Sequence, residues 1–235
     1  MKILFSPSEG KRYIKSSKSE GMLERHQRIY DAYADFVGKA TLEELSRITG
    51  FSKEKEILEF LEKMQKPSLQ RAIELYDGVA YDALDYGSLT SEQRHFVSES
   101  VLIFSNLFGV VGADSLLPFY KLKQGTGFGG FGTKNLYQEQ YEIYREMIEG
   151  EFVVDLRAEF YKKLYSVGEH CFEFEFLKDG KKVSHYAKYY RGLVLRVIAQ
   201  NASLDGIEEA LEEYGLQSVG SKESSKKTTL IFAIS

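Results

Sequence analysis

The sequence is poor in cysteine, in long apolar runs and in net charge, and each shortage removes a class of protein. Cys171 is the single cysteine in 235 residues. It has no intramolecular partner, and its place in an alternating stretch reads as a small core residue rather than a reactive thiol. The longest apolar runs, residues 101–104 and 152–154, fall far short of the ~20 residues that a bilayer-spanning helix needs, so no membrane span is expected. Met1 leads directly into Ile3-Leu4-Phe5 rather than into a basic region followed by a long apolar stretch. No signal peptide is expected, and the chain is read as cytoplasmic. With 31 basic against 35 acidic residues and a net charge of −4, the chain is not a non-specific nucleic-acid coat, which needs many clustered Lys and Arg to neutralise phosphates. A local basic cleft is still compatible with that balance. The four histidines (His26, His95, His170 and His185) show no H-x-x-x-H or H-E-x-x-H spacing, so no metal site is assigned. There is no G-x-S-x-G elbow either.

What is present is a globular composition, 43% hydrophobic and 14% aromatic. The patterning predicts a single mixed α/β domain over 1–235, with a central mixed sheet flanked by helices and a helix-rich first third. Residues 2–6 read as a buried strand, and Ser6-Pro7-Ser8-Glu9-Gly10-Lys11-Arg12 as the loop at its C-terminal end. From 22 to 76 apolar residues recur at helical spacing: Leu23, Tyr30, Ala34 and Val37; then Ile57, Phe60, Leu61 and Met64; then Leu69, Ala72, Ile73 and Tyr76. Thr41 with Glu44 and Thr90 with Gln93 are capping boxes that mark helix starts. Strands are expected near 101–104 and 152–155, joined by a crossover through a helix near 134–149. Phe172-Glu173-Phe174-Glu175-Phe176 alternates strictly, and Asp179-Gly180 predicts a two-residue hairpin turn. In the register that pairs Lys178 with Lys181, Phe176 faces Val183, Phe174 faces His185, and Glu175 lies diagonal to Lys182. A helix near 188–201, an acidic amphipathic helix on Ile207, Ala210, Leu211 and Tyr214, and a closing strand pair near 216–220 and 228–234 complete the chain.

Several constellations bear on chemistry. Gly125-Thr-Gly127-Phe-Gly-Gly130 with Asp155 downstream imitates a dinucleotide fingerprint. Gly132, Phe128, Phe131 and the poor strand 121–124 argue for a loop or lid instead, and no cofactor is expected. In Tyr186-Ala187-Lys188-Tyr189-Tyr190-Arg191-Gly192, two cations in a helix's first turn oppose the dipole by ~0.3–1 kcal/mol each, and a helical glycine costs about 1 kcal/mol against alanine. An anion held by Lys188 and Arg191, with Gly192 permitting close approach, accounts for these choices; a later helix start, or cations reaching out to water, also does. Ser6, Lys11 and Arg12, in the loop after the first strand, could face the same site, with Lys121 as a further cation. Gly109 and Gly112 flank an apolar pair as in the hairpin of helix-hairpin-helix DNA-binding elements, although a tight turn after strand 101–104 explains them equally well.

Taken in order, Ile3-Leu4-Phe5-Ser6-Pro7, Leu107-Phe108-Gly109-Val110, Pro118-Phe119-Tyr120-Lys121-Leu122, Asn135-Leu136-Tyr137, Val154-Asp155-Leu156 and Tyr186-Ala187-Lys188-x-x-Arg191-Gly192 resemble the YaaA family of bacterial peroxide-stress proteins. The resemblance implies a protein that helps a cell survive hydrogen peroxide, by limiting free intracellular iron or by binding and shielding DNA. A cationic pocket suits a phosphate of DNA or of a small metabolite. It does not suit iron, which wants clustered carboxylates and imidazoles. Three readings stay open. The first is a DNA-binding stress protein using Lys11, Arg12, Lys121, Lys188 and Arg191, with Tyr186 or Tyr189 for stacking. The second is an enzyme on a phosphorylated or anionic small molecule, with Asp155 or Glu159 as acid/base. The third is a non-catalytic adaptor.

Overall fold

The structure is a computed structural model and describes residues 1–15, 21–65, 68–168, 170–183 and 186–234. The chain adopts the mixed α/β class read from its sequence, with an eight-stranded mixed sheet and flanking helices. It divides into two compact units, one comprising Met1–Ser6, Val79–Leu102 and Glu142–Ser235, the other Pro7–Gly78 and Ile103–Tyr141.

In the first unit, Lys2–Phe5 pairs in parallel with Val153–Asp155, which pairs in parallel with Cys171–Lys178. Cys171–Lys178 runs parallel to Lys227–Ile234, and Leu216–Glu223 closes that edge antiparallel. Ile3, Leu4, Val153 and Val154 are wholly buried. This is why these strands read as continuous apolar runs rather than as alternation, since both faces of a parallel sheet are covered. The hairpin has the expected register, with Lys178 opposite Lys181 and the Val183 amide donating to the Phe176 carbonyl at 3.0 Å. Lys182 reaches the diagonal Glu175 at 3.0 Å. Asp179 and Gly180 both take positive φ, 51° and 71°, as the favoured two-residue turn requires. The pairing expected between Phe174 and His185 lies outside the described residues.

The helix Ala187–Asn201 packs on the short helix Val79–Leu84. A methyl group at Gly192 would stand 1.9 Å from the Ala80 carbonyl oxygen, so this glycine permits close contact between two helices. Arg196 then donates to the carbonyls of Leu84 and Asp85, at 2.9 and 3.2 Å, closing the end of the shorter helix. The capping box at Thr90 and Gln93 starts the helix Ser91–Ser100 as read.

The second unit carries the helices Glu24–Lys39, Leu42–Thr49 and Glu54–Met64, the second opened by the Thr41–Glu44 box. The helical spacing over 69–76 does not give one helix. Leu69–Arg71 is a strand paired with Leu116–Pro118, Ala72–Leu75 is a single turn, and Tyr76–Asp77 is a strand paired with Gly10–Lys11. Leu69, Ala72, Ile73, Leu75 and Tyr76 are all buried. Burial on every side satisfies a helical template without requiring a helix.

The helix expected near 134–149 is two, Thr133–Glu139 and Tyr141–Glu146. The glycine-rich stretch is folded as a hairpin rather than left as an irregular loop. Gly127–Phe128 and Phe131–Gly132 form a small hairpin, with Phe128 buried against Tyr33 and Phe36. Gly109–Gly112 is itself a strand that follows Val101–Ser105 through a tight turn, with Gly109 at φ 75°. A helix-hairpin-helix element needs helices on both sides, and here the flanks are strands.

Candidate functional site

Lys11 lies in the short Gly10–Lys11 strand of the second unit. The ladder that sets Gly10 opposite Asp77 and Lys11 opposite Tyr76 fixes its backbone. A side chain at residue 10 would stand 2.6 Å from the Asp77 carbonyl oxygen, so only glycine admits this approach. The Lys11 amine then lies 4.1 Å from the centre of the Tyr120 ring and 5.1 Å from that of Tyr76. Its hydrogen bond is to the Ser8 carbonyl at 3.0 Å, and it forms no ion pair among the described residues. Burial and the neighbouring Lys121 charge, partly opposed by Glu9, lower its pKa from 10.5 to about 7.

Beneath it the hydroxyls of Tyr76 and Tyr120 meet at 2.8 Å, and Tyr120 continues to the Ser105 hydroxyl at 2.9 Å. Burial pushes Tyr76 up to about 12, so it holds its proton at neutral pH. Lys121 is placed by Tyr33, whose hydroxyl accepts from the Lys121 amide at 3.1 Å and donates to its carbonyl at 2.5 Å. The Lys121 ammonium donates to the Glu9 carbonyl at 2.8 Å, while the Glu9 carboxylate accepts from the Gln124 amide at 3.0 Å. Arg12 faces elsewhere, and its exposed guanidinium pairs with Asp77 at 2.9 Å.

The first unit holds a polar basin of about 240 Å³ lined by charged groups of both signs. Asp155, Glu173, Thr229 and Lys222 lie side by side across the sheet. Glu173 takes Lys162 at 3.0 Å and Lys227 at 3.2 Å, and Glu175 takes Lys182 at 3.0 Å and Lys222 at 3.6 Å. Arg191 enters the same basin and forms no hydrogen bond or ion pair among the described residues. Burial lowers its pKa, against the pull of Glu159, Asp155 and Glu173.

Asp155 is spoken for. Arg157 Nε and Nη2 grip its two oxygens at 2.9 and 2.7 Å, and the buried Arg157 also donates to the carbonyls of Tyr161 and Tyr165. Burial alone would raise the Asp155 carboxyl, but the Arg157 charge and hydrogen bonds outweigh it and hold the pKa below its ordinary value. An acid/base group needs a pKa near the working pH and a free oxygen, which leaves the exposed Glu159 as the available carboxylate of the pair read from sequence.

The profile of the family described as peroxide stress protein YaaA matches residues 1–217. The chain belongs to the YaaA family. An uncharacterized protein of Campylobacter jejuni is 38% identical over 210 residues, covering 86% of this chain and 85% of its own length. UPF0246 proteins of Polynucleobacter necessarius and Dechloromonas aromatica are 29% and 33% identical, over 69% and 56% of this chain and 68% and 57% of their own lengths.

Within this YaaA-family chain the residues singled out from sequence divide between the units. Lys11 and Lys121 come together in the second, and Arg12 turns to Asp77. In the first, Arg191 lines the basin while Lys188 is exposed and is not among its lining residues. Gly192 faces Ala80, and the exposed Tyr186 ring carries Lys178 at 5.2 Å. Ser6 is occupied structurally, its hydroxyl accepting from the Ala158 amide and its carbonyl from the Tyr81 hydroxyl. Sequence reading missed Tyr76, Tyr120 and Ser105, which look like ordinary core positions, and Arg157, whose only signal was its place two residues beyond Asp155. No helix of the described residues is long and apolar enough to cross a membrane.

Proposed function

We propose that the chain serves the peroxide-stress response of its family by binding DNA through backbone phosphates, with Lys11 and Lys121 as the anchoring pair. The observation that carries this reading is that burial and the Lys121 charge depress the Lys11 amine, with the Glu9 carboxylate offsetting them only in part and neither lysine ion-paired among the described residues. Like charges confined together are relieved by an anion, and a phosphate supplies one. In the first unit the exposed Lys188, Tyr186 and Tyr189 offer the same chemistry, a cation beside rings on which bases can stack. Limitation of free iron would then be indirect, since among the described residues no group of three or more His, Cys, Asp or Glu is arranged to hold a metal ion.

A duplex titration at two salt concentrations tests the proposal. Affinity should fall as salt rises, and Lys121→Ala should weaken binding equally for unrelated sequences and reduce the salt slope by about 1. Binding that ignores salt, or that survives loss of both Lys11 and Lys121, overturns it.

One observation favours a second reading. The Arg191 basin, at about 240 Å³, is far smaller than a duplex and matches a small anionic molecule. In that reading Arg191 is the clamp and Glu159 the acid/base group.

A further inference from the structure

The charged groups around the basin of the first unit are not equally satisfied. Each oxygen of Glu173 meets a lysine, Oε1 taking Lys162 at 3.0 Å and Oε2 taking Lys227 at 3.2 Å, and the two oxygens of Glu175 are filled in the same way by Lys222 and Lys182. Asp155, beside Glu173 in the sheet, has both oxygens taken by Arg157. Arg191 and Glu159 line the basin as well, and neither forms a hydrogen bond or ion pair among the described residues. Of the three carboxylates that pull on the Arg191 charge, Glu159 pulls hardest and is the one whose oxygens are free among the described residues. The two are held on separate elements, Glu159 at the start of the helix Glu159–Leu164 and Arg191 in the helix Ala187–Asn201. Lys227 also feels Glu159, but donates to Glu173. The exposed Glu223 lines the basin from the end of the edge strand. The strand Val153–Asp155 stops beside Glu173 while Cys171–Lys178 runs on, and open α/β sheets take ligands beyond the carboxyl ends of their strands.

We propose that the basin binds a small zwitterion, its anionic group held by Arg191 and its ammonium by Glu159. This deepens the second reading of the function, in which Arg191 clamps a small anion, and rests on it. A guanidinium presents a planar fork that fits a carboxylate or a phosphate. A ligand with negative charge alone would approach the free Glu159 carboxylate as it reached Arg191, while the lysines of the basin are already engaged by Glu173 and Glu175. A ligand with positive charge alone would meet Arg191 in the same way. A molecule that carries both charges sets each against its opposite and leaves the lysine-bridged glutamates as they stand. The volume of about 240 Å³ lies below the ~300–1,000 Å³ of pockets that take drug-sized ligands, so the two charges belong on a short chain.

The anionic group is either a carboxylate or a phosphate ester, and two matched pairs of probes separate these. Serine and glycerate share a carboxylate and differ in ammonium against hydroxyl. Phosphoethanolamine and glycerol phosphate share a phosphate monoester and differ in ammonium against hydroxyls. The full chain is titrated calorimetrically with each of the four near neutral pH. In at least one pair the ammonium-bearing member should bind more tightly, by about two- to fivefold, the size expected of an exposed ion pair, and the pair that shows the preference names the anionic group. Glu159→Gln should bring that ratio to about one, Arg191→Gln should weaken both members of the pair, and Glu223→Gln should keep the ratio. Glu159 is exposed, so a change of this size there spares the fold. If the members of each pair bind equally, if the preference survives Glu159→Gln, or if Glu223→Gln removes it instead, the proposal fails while Arg191 as an anion clamp stands. If none of the four probes binds, the anion clamp falls with it.

Discussion

Gly192 and Ala80 touch backbone to backbone, and a methyl group at residue 192 would stand 1.9 Å from the Ala80 carbonyl oxygen. In an open helix, Gly→Ala gains about 1 kcal/mol of propensity. Here the clash is with main chain, which cannot swing aside, and overpacking costs ~1–3 kcal/mol. Gly192→Ala is expected to destabilise the protein in urea unfolding. Gly38→Ala, in the helix Glu24–Lys39 with nothing within 4 Å of the added atom, should be neutral or stabilising by up to ~1 kcal/mol. Equal effects at the two sites would mean that the helix contact is not tight.

Asp155 and Arg157 form a fork-to-fork pair whose side chains are 3% and 1% exposed. Removing one member leaves the other charged and buried, which costs ~3–5 kcal/mol. Arg157→Met should accordingly unfold at much lower urea, whereas the double variant Asp155→Leu with Arg157→Met should recover much of the loss. Because the folded-state Asp155 pKa is depressed, the pair contributes stability above the unfolded carboxylate pKa of ~3.9, lost as acid takes pH down through the lower folded value. Unfolding midpoints of wild type and the double variant measured down into acid should converge. A gap that stays constant would contradict the assignment.

Elements whose signal is local were legible in the sequence. Thr41 with Glu44, Thr90 with Gln93 and Asp179-Gly180 each carry their geometry within four residues, and all three appear as read. The stretch 69–76 was not legible, because its two short strands exist only through partners more than 40 residues away on one side and over 60 on the other. The same holds for the candidate sites. Lys11 and Lys121 were visible as cations, but Tyr76, Tyr120 and Ser105 acquire their role from long-range packing. Gly192 was read for an anion, and its reason is Ala80, which no spacing rule connects to it.

Lys11 should leave a signature in the pH dependence of stability. The folded amine titrates near 7 and an unfolded lysine near ~10.4, so between those values the unfolded chain binds more protons. Stability therefore rises with pH across that window, by at most about 1.4 kcal/mol per pH unit. The full effect belongs to a fully enclosed amine, and the partial exposure of Lys11 reduces it. Lys11→Met should be more stable than wild type at neutral pH and should lose this slope, while titrations of groups not coupled to Lys11 cancel in the difference. Urea midpoints for the two proteins at several pH values from 7 upward decide it, and parallel curves would show that Lys11 titrates normally.

Arg191 tests whether the basin of the first unit binds anything. A cation kept largely from water without a hydrogen-bonded partner among the described residues contributes little to folding, so Arg191→Gln should change stability by no more than ~1 kcal/mol. A charge-assisted hydrogen bond to a ligand is worth ~1.5–3 kcal/mol, so the same change should weaken binding of an anion by about ten- to a hundredfold. Calorimetric titration with inorganic phosphate and with glycerol phosphate reads that loss, and Lys188→Ala is the control, because Lys188 is exposed and does not line the basin. A structural arginine would give the opposite pattern, with lowered stability and anion binding unchanged or absent in both proteins. Equal losses from Lys188→Ala and Arg191→Gln would instead move the anion out of the basin to the exposed turn of the helix.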